Sequence, residues 1–396
     1  MKILYLIDTL EVGGAEKSLL EILSCFDHIE PLICHIYPGQ SLKSTYLQAG
    51  IAVISLDVPG NYSFGQAIRR VKAVAQNEQV DLIHTTLFRA DIVGRSVGQL
   101  LGIPVVGSFV NESYAPVRWQ TLSLPHRLKL YGVRWLDAQS ARWTQHFAAN
   151  SETVKATNAQ SLNIPLDKIS VIYRGRNPQP FLSADSQQLA ATRAGLGLME
   201  SDQIILNVAR LLDRKGQADL IRAMPHVLRV LPQVRLVIAG DGVYRPQLEA
   251  LIQELGLEGV VSLLGQRSDV PALLHIADLF VFPSYFEGYP GALVEAMFAA
   301  KPIVASNIPV HQEAIVSGVT GRLVPIQDAT AMAQAIIWMF KHPSKAREMS
   351  EQARRVAMER FHIEKIASQY EALYQQVRQA AAGNSNRFSS LHQKKA

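Results

Sequence analysis

Phe282-Pro-Ser284-Tyr-Phe-Glu287-Gly-Tyr-Pro290-Gly-Ala-Leu-Val-Glu295-Ala-Met297 runs from the end of an apolar strand, through a Gly/Pro loop, into a helix. Pro290 suits the first helical turn, where its missing N–H costs nothing. The N–H groups of Gly288, Tyr289, Gly291 and Ala292 are then left pointing at an anion. Glu287 falls in the loop and Glu295 about one turn into the helix. Buried carboxylates need hydroxyl or cationic partners, and sugar and ribose hydroxyls are natural ones. A glutamate near a helix start also arises from the helix dipole alone.

Working outward, the same strand–loop–helix unit repeats along the chain. Expected strands in this half are Ile204–Val208, Arg235–Ala239, Val260–Leu264, Leu279–Phe282, Pro302–Ala305 and Arg322–Val324. Between them lie clean helical stripes, such as Leu220, Ile221, Met224, Val227, Leu228 and Leu231. The first half alternates in the same way, with strands at Lys2–Ile7, Leu32–Tyr37, Ala52–Leu56, Leu82–Thr85, Val105–Phe109, His146–Ala149 and Ser170–Tyr173. These runs are almost continuously apolar, as strands of a parallel sheet covered on both faces are. The fold class is therefore α/β, with two Rossmann-like doubly wound domains facing a cleft. The expected boundaries are 1–175 for the first domain and 187–360 for the second. A polar, Pro-containing linker begins at Arg174. A last helix over 361–382 is a candidate for crossing back to the first domain, and 383–396 is expected as a disordered tail.

Composition agrees with this reading. The chain has 396 residues, 48% hydrophobic and 18% charged, which suits two globular domains and excludes a disordered or collagen-like polymer. Its net charge of +5 favours anionic ligands, and +3 of it lies within residues 1–180. Two cysteines, Cys25 and Cys34, form no zinc or disulfide pattern. The N-terminus meets Asp8 before an apolar leader forms, and no apolar run reaches the ~18 residues of a membrane span. A cytoplasmic protein is the expectation, with a peripheral place at the inner membrane face as a variant of it.

Ligands of open α/β sheets bind beyond the carboxyl ends of the strands, which selects two more loops. In Leu10-Glu-Val-Gly13-Gly14-Ala-Glu16, adjacent glycines open a helix and admit either a phosphate or simply a tight turn. In Asn207-Val-Ala-Arg210-Leu-Leu-Asp-Arg-Lys215-Gly216, Arg210 and Lys215 flank a turn and either clamp a diphosphate or form a solvated basic loop.

With these pieces in place, Asn207 to Pro325 resembles the nucleotide-sugar domain of the retaining GT-B glycosyltransferases of group 1. The matching pieces run in family order: Arg210 to Gly216, Ala-Gly240-Asp-Gly242, Leu-Gly265, Pro-Ser284, the Glu287/Glu295 pair, Ala-x-Lys-Pro302 and Gly321-Arg-Leu-Val-Pro. The first half is similar more loosely, through Gly13-Gly14-Ala-Glu16, Asp81-Leu-Ile-His84 and Ala149-Asn-Ser151. The resemblance implies a glycosyltransferase using a nucleotide-diphosphate sugar and retaining anomeric configuration, in surface polysaccharide or glycolipid assembly. An inactive GT-B glycan-binding or scaffold protein and a nucleotide-sugar epimerase are the alternatives.

The resemblance also implies roles. Arg210, Lys215 and Glu287 form the catalytic set, with Lys215 and Arg210 on the diphosphate and Glu287 on the sugar hydroxyls. Gly13, Gly14, Gly288, Tyr289, Pro290, Gly291, Ala292 and Leu293 line the substrate, Glu295 holds the ribose, and the base lies near Gly265–Arg267. No metal and no cofactor are implied, and Asp241 is expected to shape a turn. Partners are the nucleotide-sugar donor and a glycan or lipid-linked acceptor. Where relatives carry His or Arg after the strand Val105–Phe109, this chain has Val110 and then Asn111; Asn111 substitutes, or the register shifts by one. Arg174-Gly-Arg176-Asn177 departs from the family's Asn-Gly-Val-Asp, leaving two arginines for an anionic group or a solvated linker.

Residues 118–143 stand apart. They hold Arg118, Arg127, Lys129, Arg134 and Arg142 against a single acid, Asp137, with Trp119, Trp135 and Trp143. Such a segment suits either peripheral contact with an anionic membrane or a core helix with a solvated basic face. No aromatic nucleic-acid motif or concentrated basic stripe is present, so no nucleic-acid partner is expected.

Overall fold

The computed structural model describes the chain except residues 61, 116–118, 120–121 and 394–396, and gives the backbone alone for 384–393. It separates into two compact units, Met1–Gly175 with the segment from Ile363 onward, and Arg176–His362.

The first unit is a seven-stranded sheet of β1 (Lys2–Ile7), β2 (Glu30–His35), β3 (Ala52–Ser55), β4 (Leu82–Thr86), β5 (Val105–Phe109), β6 (His146–Ala149) and β7 (Ile169–Val171). Their spatial order is β3-β2-β1-β4-β5-β6-β7, all parallel. The unbroken apolar runs follow from two-sided burial. Ile3, Tyr5 and Ile7 enter one core with Leu19, Ile22 and Leu23 of the helix Gly14–Leu23, while Leu4 and Leu6 enter the opposite core with Val71, Val93 and Val97. The strand order reverses between β1 and β4, and that switch point places the loops after them at the carboxyl edge.

The second unit repeats the plan with six parallel strands. They are β8 (Gln203–Val208), β9 (Val234–Ala239), β10 (Val261–Leu263), β11 (Leu279–Phe282), β12 (Ile303–Ser306) and β13 (Arg322–Val324), ordered β10-β9-β8-β11-β12-β13. Its switch point lies between β8 and β11, so the loops carrying Arg210–Gly216 and Pro283–Pro290 leave the sheet side by side.

One expectation changes. The stretch after Arg174 is not a solvated linker: Arg176 is buried and its N–H bonds to the Phe361 carbonyl at 3.0 Å, and Phe181 is buried in the short helix Gln179–Leu182. Apolar Phe181 and a cation with a buried partner outweigh the local turn signals. At the other end, the backbone of the last helix runs Ile363–Gln393, through Gly383. One glycine costs a helix about 1 kcal/mol, and propagation from an existing helix avoids the cost of a new nucleus. That helix completes the first unit: Ile363, Ile366, Leu373, Tyr374 and Val377 belong to the core beneath β1.

Candidate functional site

In the second unit, the loop after β8 is shaped by glycines that no other residue replaces. An ideal Cβ on Gly240 (φ +145°) would stand 1.9 Å from the Ala209 carbonyl oxygen, and one on Gly242 2.2 Å from that of Leu211. Asp241 shapes this turn. Its carboxylate accepts from the Gly242 N–H at 2.8 Å, and its carbonyl from the Leu211 N–H at 3.0 Å. Arg210, beside this contact, is exposed, and no ion pair of its guanidinium occurs among the described residues.

The chain then makes a 3-10 turn, Asp213–Lys215, closed by Gly216 at φ +69°. A Cβ on Gly216 would lie 2.1 Å from the Pro283 carbonyl oxygen. The close approach docks this turn on the start of the loop after β11 and brings Lys215 to Glu287. Lys215 Nζ donates to Glu287 Oε1 in an ion pair whose side chains are each 10% exposed. Burial pulls the Lys215 ammonium below its usual value, with Glu287 opposing. Burial pushes Glu287 upward, but Lys215 outweighs it and holds the carboxyl below 4.5. Glu287 is therefore ionised at neutral pH.

Neighbours fix the pair. The Phe282 ring centroid is 5.6 Å from Lys215 Nζ, and the Arg214 guanidinium lies 4.7 Å from that of Phe286. Tyr285 donates its hydroxyl to Asp219 at 2.7 Å. His311, fully buried, completes the surroundings: burial lowers its pKa to about 4, and both members of the ion pair bear on it electrostatically. Its Nδ1 faces the Ser306 carbonyl at 2.8 Å. A carbonyl only accepts, so Nδ1 carries the proton and Nε2 keeps a lone pair. No sequence pattern marked this histidine.

The helix Gly291–Phe298 starts from Pro290 with no side-chain cap and no acid in its first turn. The N–H groups of Gly291, Ala292 and Leu293 therefore have no partner within the helix. Gly288 precedes them in the loop, and Tyr289 is buried with its ring 5.3 Å from that of Phe361. Glu295 is already engaged, accepting from Arg176 Nε at 2.9 Å, both side chains largely buried. A Cβ on Gly291 would stand 2.1 Å from the Arg176 guanidinium, so this glycine makes room for the arginine. Arg267 does not join the cluster: it follows β10, two strands from the switch point, and forms a two-pronged pair with Asp269 at 2.8 and 2.6 Å.

Gly13, Gly14 and Asn111 belong to the first unit. Gly13 begins the helix Gly14–Leu23, and the Glu16 carboxylate folds over it, 2.2 Å from where a Cβ would stand. Gly14 faces the Arg174 guanidinium, which would lie 3.3 Å from its Cβ. Arg174, Ser18, His84, Asn150 and Tyr370 line a pocket at the carboxyl edge of this sheet. His84 is bound at both ring nitrogens, to Ser108 at 2.6 Å and Tyr374 at 2.8 Å, and burial lowers its pKa to about 3. Asn111 lies outside that lining, exposed beyond β5, with Oδ1 accepting from Ser113 at 2.5 Å. Val110, just before it, does line the pocket.

Two family profiles account for most of the chain. Residues 12–179 match Glycosyltransferase Family 4, and residues 190–356 match Glycosyl transferases group 1. Among curated relatives, an N-acetyl-alpha-D-glucosaminyl L-malate synthase of Bacillus anthracis is 29% identical, over 78% of each chain. An Escherichia coli UDP-Gal:alpha-D-GlcNAc-diphosphoundecaprenol alpha-1,3-galactosyltransferase is 26% identical over 76% of each. Among solved structures, HepE of Anabaena in complex with UDP and glucose aligns with a TM-score of 0.84 at 25% identity, covering 95% of this chain and all of that one. The fold and the two matching profiles together define a GT-B glycosyltransferase. The chain belongs to the group-1 glycosyltransferase family.

Proposed function

We propose that this glycosyltransferase takes its sugar from a nucleotide-diphosphate donor, without a metal, retains anomeric configuration, and serves surface polysaccharide or glycolipid assembly. The observation that carries the reading is the buried Lys215–Glu287 pair beside the uncapped start of Gly291–Phe298. Cleaving the donor bond puts negative charge on the departing diphosphate and positive character on the sugar ring. Exposed Arg210, the Lys215 ammonium and the helix N-terminus supply fixed positive charge for that diphosphate. Glu287, oriented by Lys215, would accept from sugar hydroxyls. Glu295, held by Arg176 through Oε1, keeps Oε2 for a ribose hydroxyl. With both carboxylates committed to binding, neither is assigned as a glycosidase-type acid or nucleophile. HepE was solved with UDP and with UDP-glucose, which favours a uridine donor, and the E. coli relative's named acceptor favours a lipid-linked one.

Incubation with a panel of nucleotide sugars should yield donor hydrolysis or transfer that persists with chelator. Lys215→Ala and Glu287→Ala should each lower it by roughly 100-fold or more. Full activity in both variants would remove the assignment, and an inverted product by NMR would remove retention.

A further inference from the structure

The helix Leu124–Ala141 has two apolar faces. Inward, Leu130, Val133 and Ala138 pack on the core of Phe109, Phe147 and Val154. Asp137 anchors the same face, accepting from Arg95 Nη1 at 2.6 Å and from the Tyr114 hydroxyl at 2.7 Å. Outward stand Leu124, Leu128, Tyr131 and Trp135, exposed by 70, 67, 57 and 56%. Their spacing of four, three and four residues puts them within an arc of about 60°, at about 100° per residue, on the side away from Leu130, Val133 and Asp137. An amphipathic helix packed by one face should present polar residues here; four large apolar side chains in register need a covering.

The charges around the stripe select what covers it. Arg127 and Arg142 are exposed beside it, and Arg134 packs its guanidinium 5.2 Å from the Tyr131 ring centroid. The helix's one acid, Asp137, lies on the opposite face and is neutralised by Arg95. A second copy of the chain would set this cationic rim against itself, because a two-fold interface pairs each patch with its twin. An anionic lipid surface matches both components, apolar side chains entering the headgroup boundary and cations meeting phosphates. Tyrosine and tryptophan are the side chains that favour that boundary. No helix among the described residues is long and apolar enough to cross a membrane, so this is docking rather than spanning.

We infer that the outward face of Leu124–Ala141 docks the protein on the surface of an anionic bilayer. This stands apart from the donor reading: Lys215→Ala should dock normally, and loss of docking would leave hydrolysis of a soluble donor intact. The test is co-sedimentation of the full chain with vesicles of phosphatidylcholine alone or mixed with phosphatidylglycerol, at low and high salt. Binding is expected to the mixed vesicles and to fall with salt. Leu128→Glu with Trp135→Glu should weaken it at least tenfold without lowering the melting temperature, since both side chains are exposed. Arg127→Gln and Arg142→Gln should each weaken it roughly fivefold. Three results would overturn the inference: no binding to mixed vesicles at low salt, binding unchanged in the Leu128/Trp135 variant, or self-association that this variant abolishes while vesicles are ignored.

Discussion

Lys215 and Glu287 stabilise one another in a place where neither is stable alone. Removing one partner of a buried ion pair leaves a desolvated charge, at about 3–5 kcal/mol. Lys215→Ala should therefore melt several degrees lower than the natural chain, as well as lose turnover. Lys215→Met with Glu287→Leu should recover much of the melting temperature and none of the turnover; a double variant as unstable as the single one would show that the pair is not the cause. His311 and His84 give a second residue-scale expectation. Both are held neutral by burial, with pKa values about 4 and about 3 against 6.5. Below pH 6.5 the unfolded chain takes up protons that the folded chain refuses, so stability falls as pH drops from 6.5 toward 4. His311 alone contributes up to about 3 kcal/mol of that loss. Denaturant melts at pH 7, 6 and 5 should lose less in His311→Asn than in the natural chain, and equal losses would mean that this ring titrates in the folded state. At this scale the sequence was legible where chemistry is local. Arg210, Lys215 and Glu287 sit in short motifs at strand ends, whereas the Arg176–Glu295 pair joins residues 119 apart and is invisible to any local pattern.

Elements position these side chains through close backbone approaches. Gly216→Ala adds left-handed strain and a collision with the Pro283 carbonyl, and should cost at least about 2 kcal/mol. For a unit of this size that is a fall of roughly 5 °C or more, measurable by calorimetry. Gly291→Ala behaves differently, since its Cβ meets only the end of the flexible Arg176 side chain. The arginine moves, its buried pair with Glu295 weakens, the melting temperature falls by a few degrees, and kcat/KM falls roughly ten- to a hundredfold through misplacement of Glu295. An unchanged kcat/KM would mean that Arg176 does not orient it. Strands were legible because two-sided burial writes them as apolar runs, yet their ends drift by a residue or two. Leu32–Tyr37 was expected and Glu30–His35 forms, because pairing with β1 in register starts at Lys2↔Glu30. Phe181 shows the opposite failure: one apolar residue among turn formers gave no periodicity, and only tertiary packing makes its short helix.

For the molecule as a whole, the division at Gly175/Arg176 and His362/Ile363 separates two cores with distinct dependencies. The second unit is one continuous segment carrying Arg210, Lys215 and Glu287. Residues 176–362 expressed alone should fold cooperatively and bind UDP, detectable by calorimetry; an unfolded fragment would show that the unit depends on the rest of the chain. Both Rossmann-like halves were legible from strand–helix alternation, but the return of the last helix into the first core was not fixed by it, since a stripe of Ile366, Tyr370 and Tyr374 names a buried face and not its partner.

That return has a consequence for how the protein is made. Tyr374 bonds His84 across 290 residues, and Ile366 and Val377 lie in the core with Ile3 and Tyr5. A ribosome releasing the chain from its N-terminus delivers β1 to β7 first, yet withholds the helix that seals them until all of residues 176–362 have been made. The second unit, translated later, is complete sooner. The half that begins synthesis is the half that finishes folding, and it waits with an apolar face uncovered. Limited proteolysis of ribosome-stalled chains ending beyond residue 362 should find 176–362 protected while 1–175 is still cut.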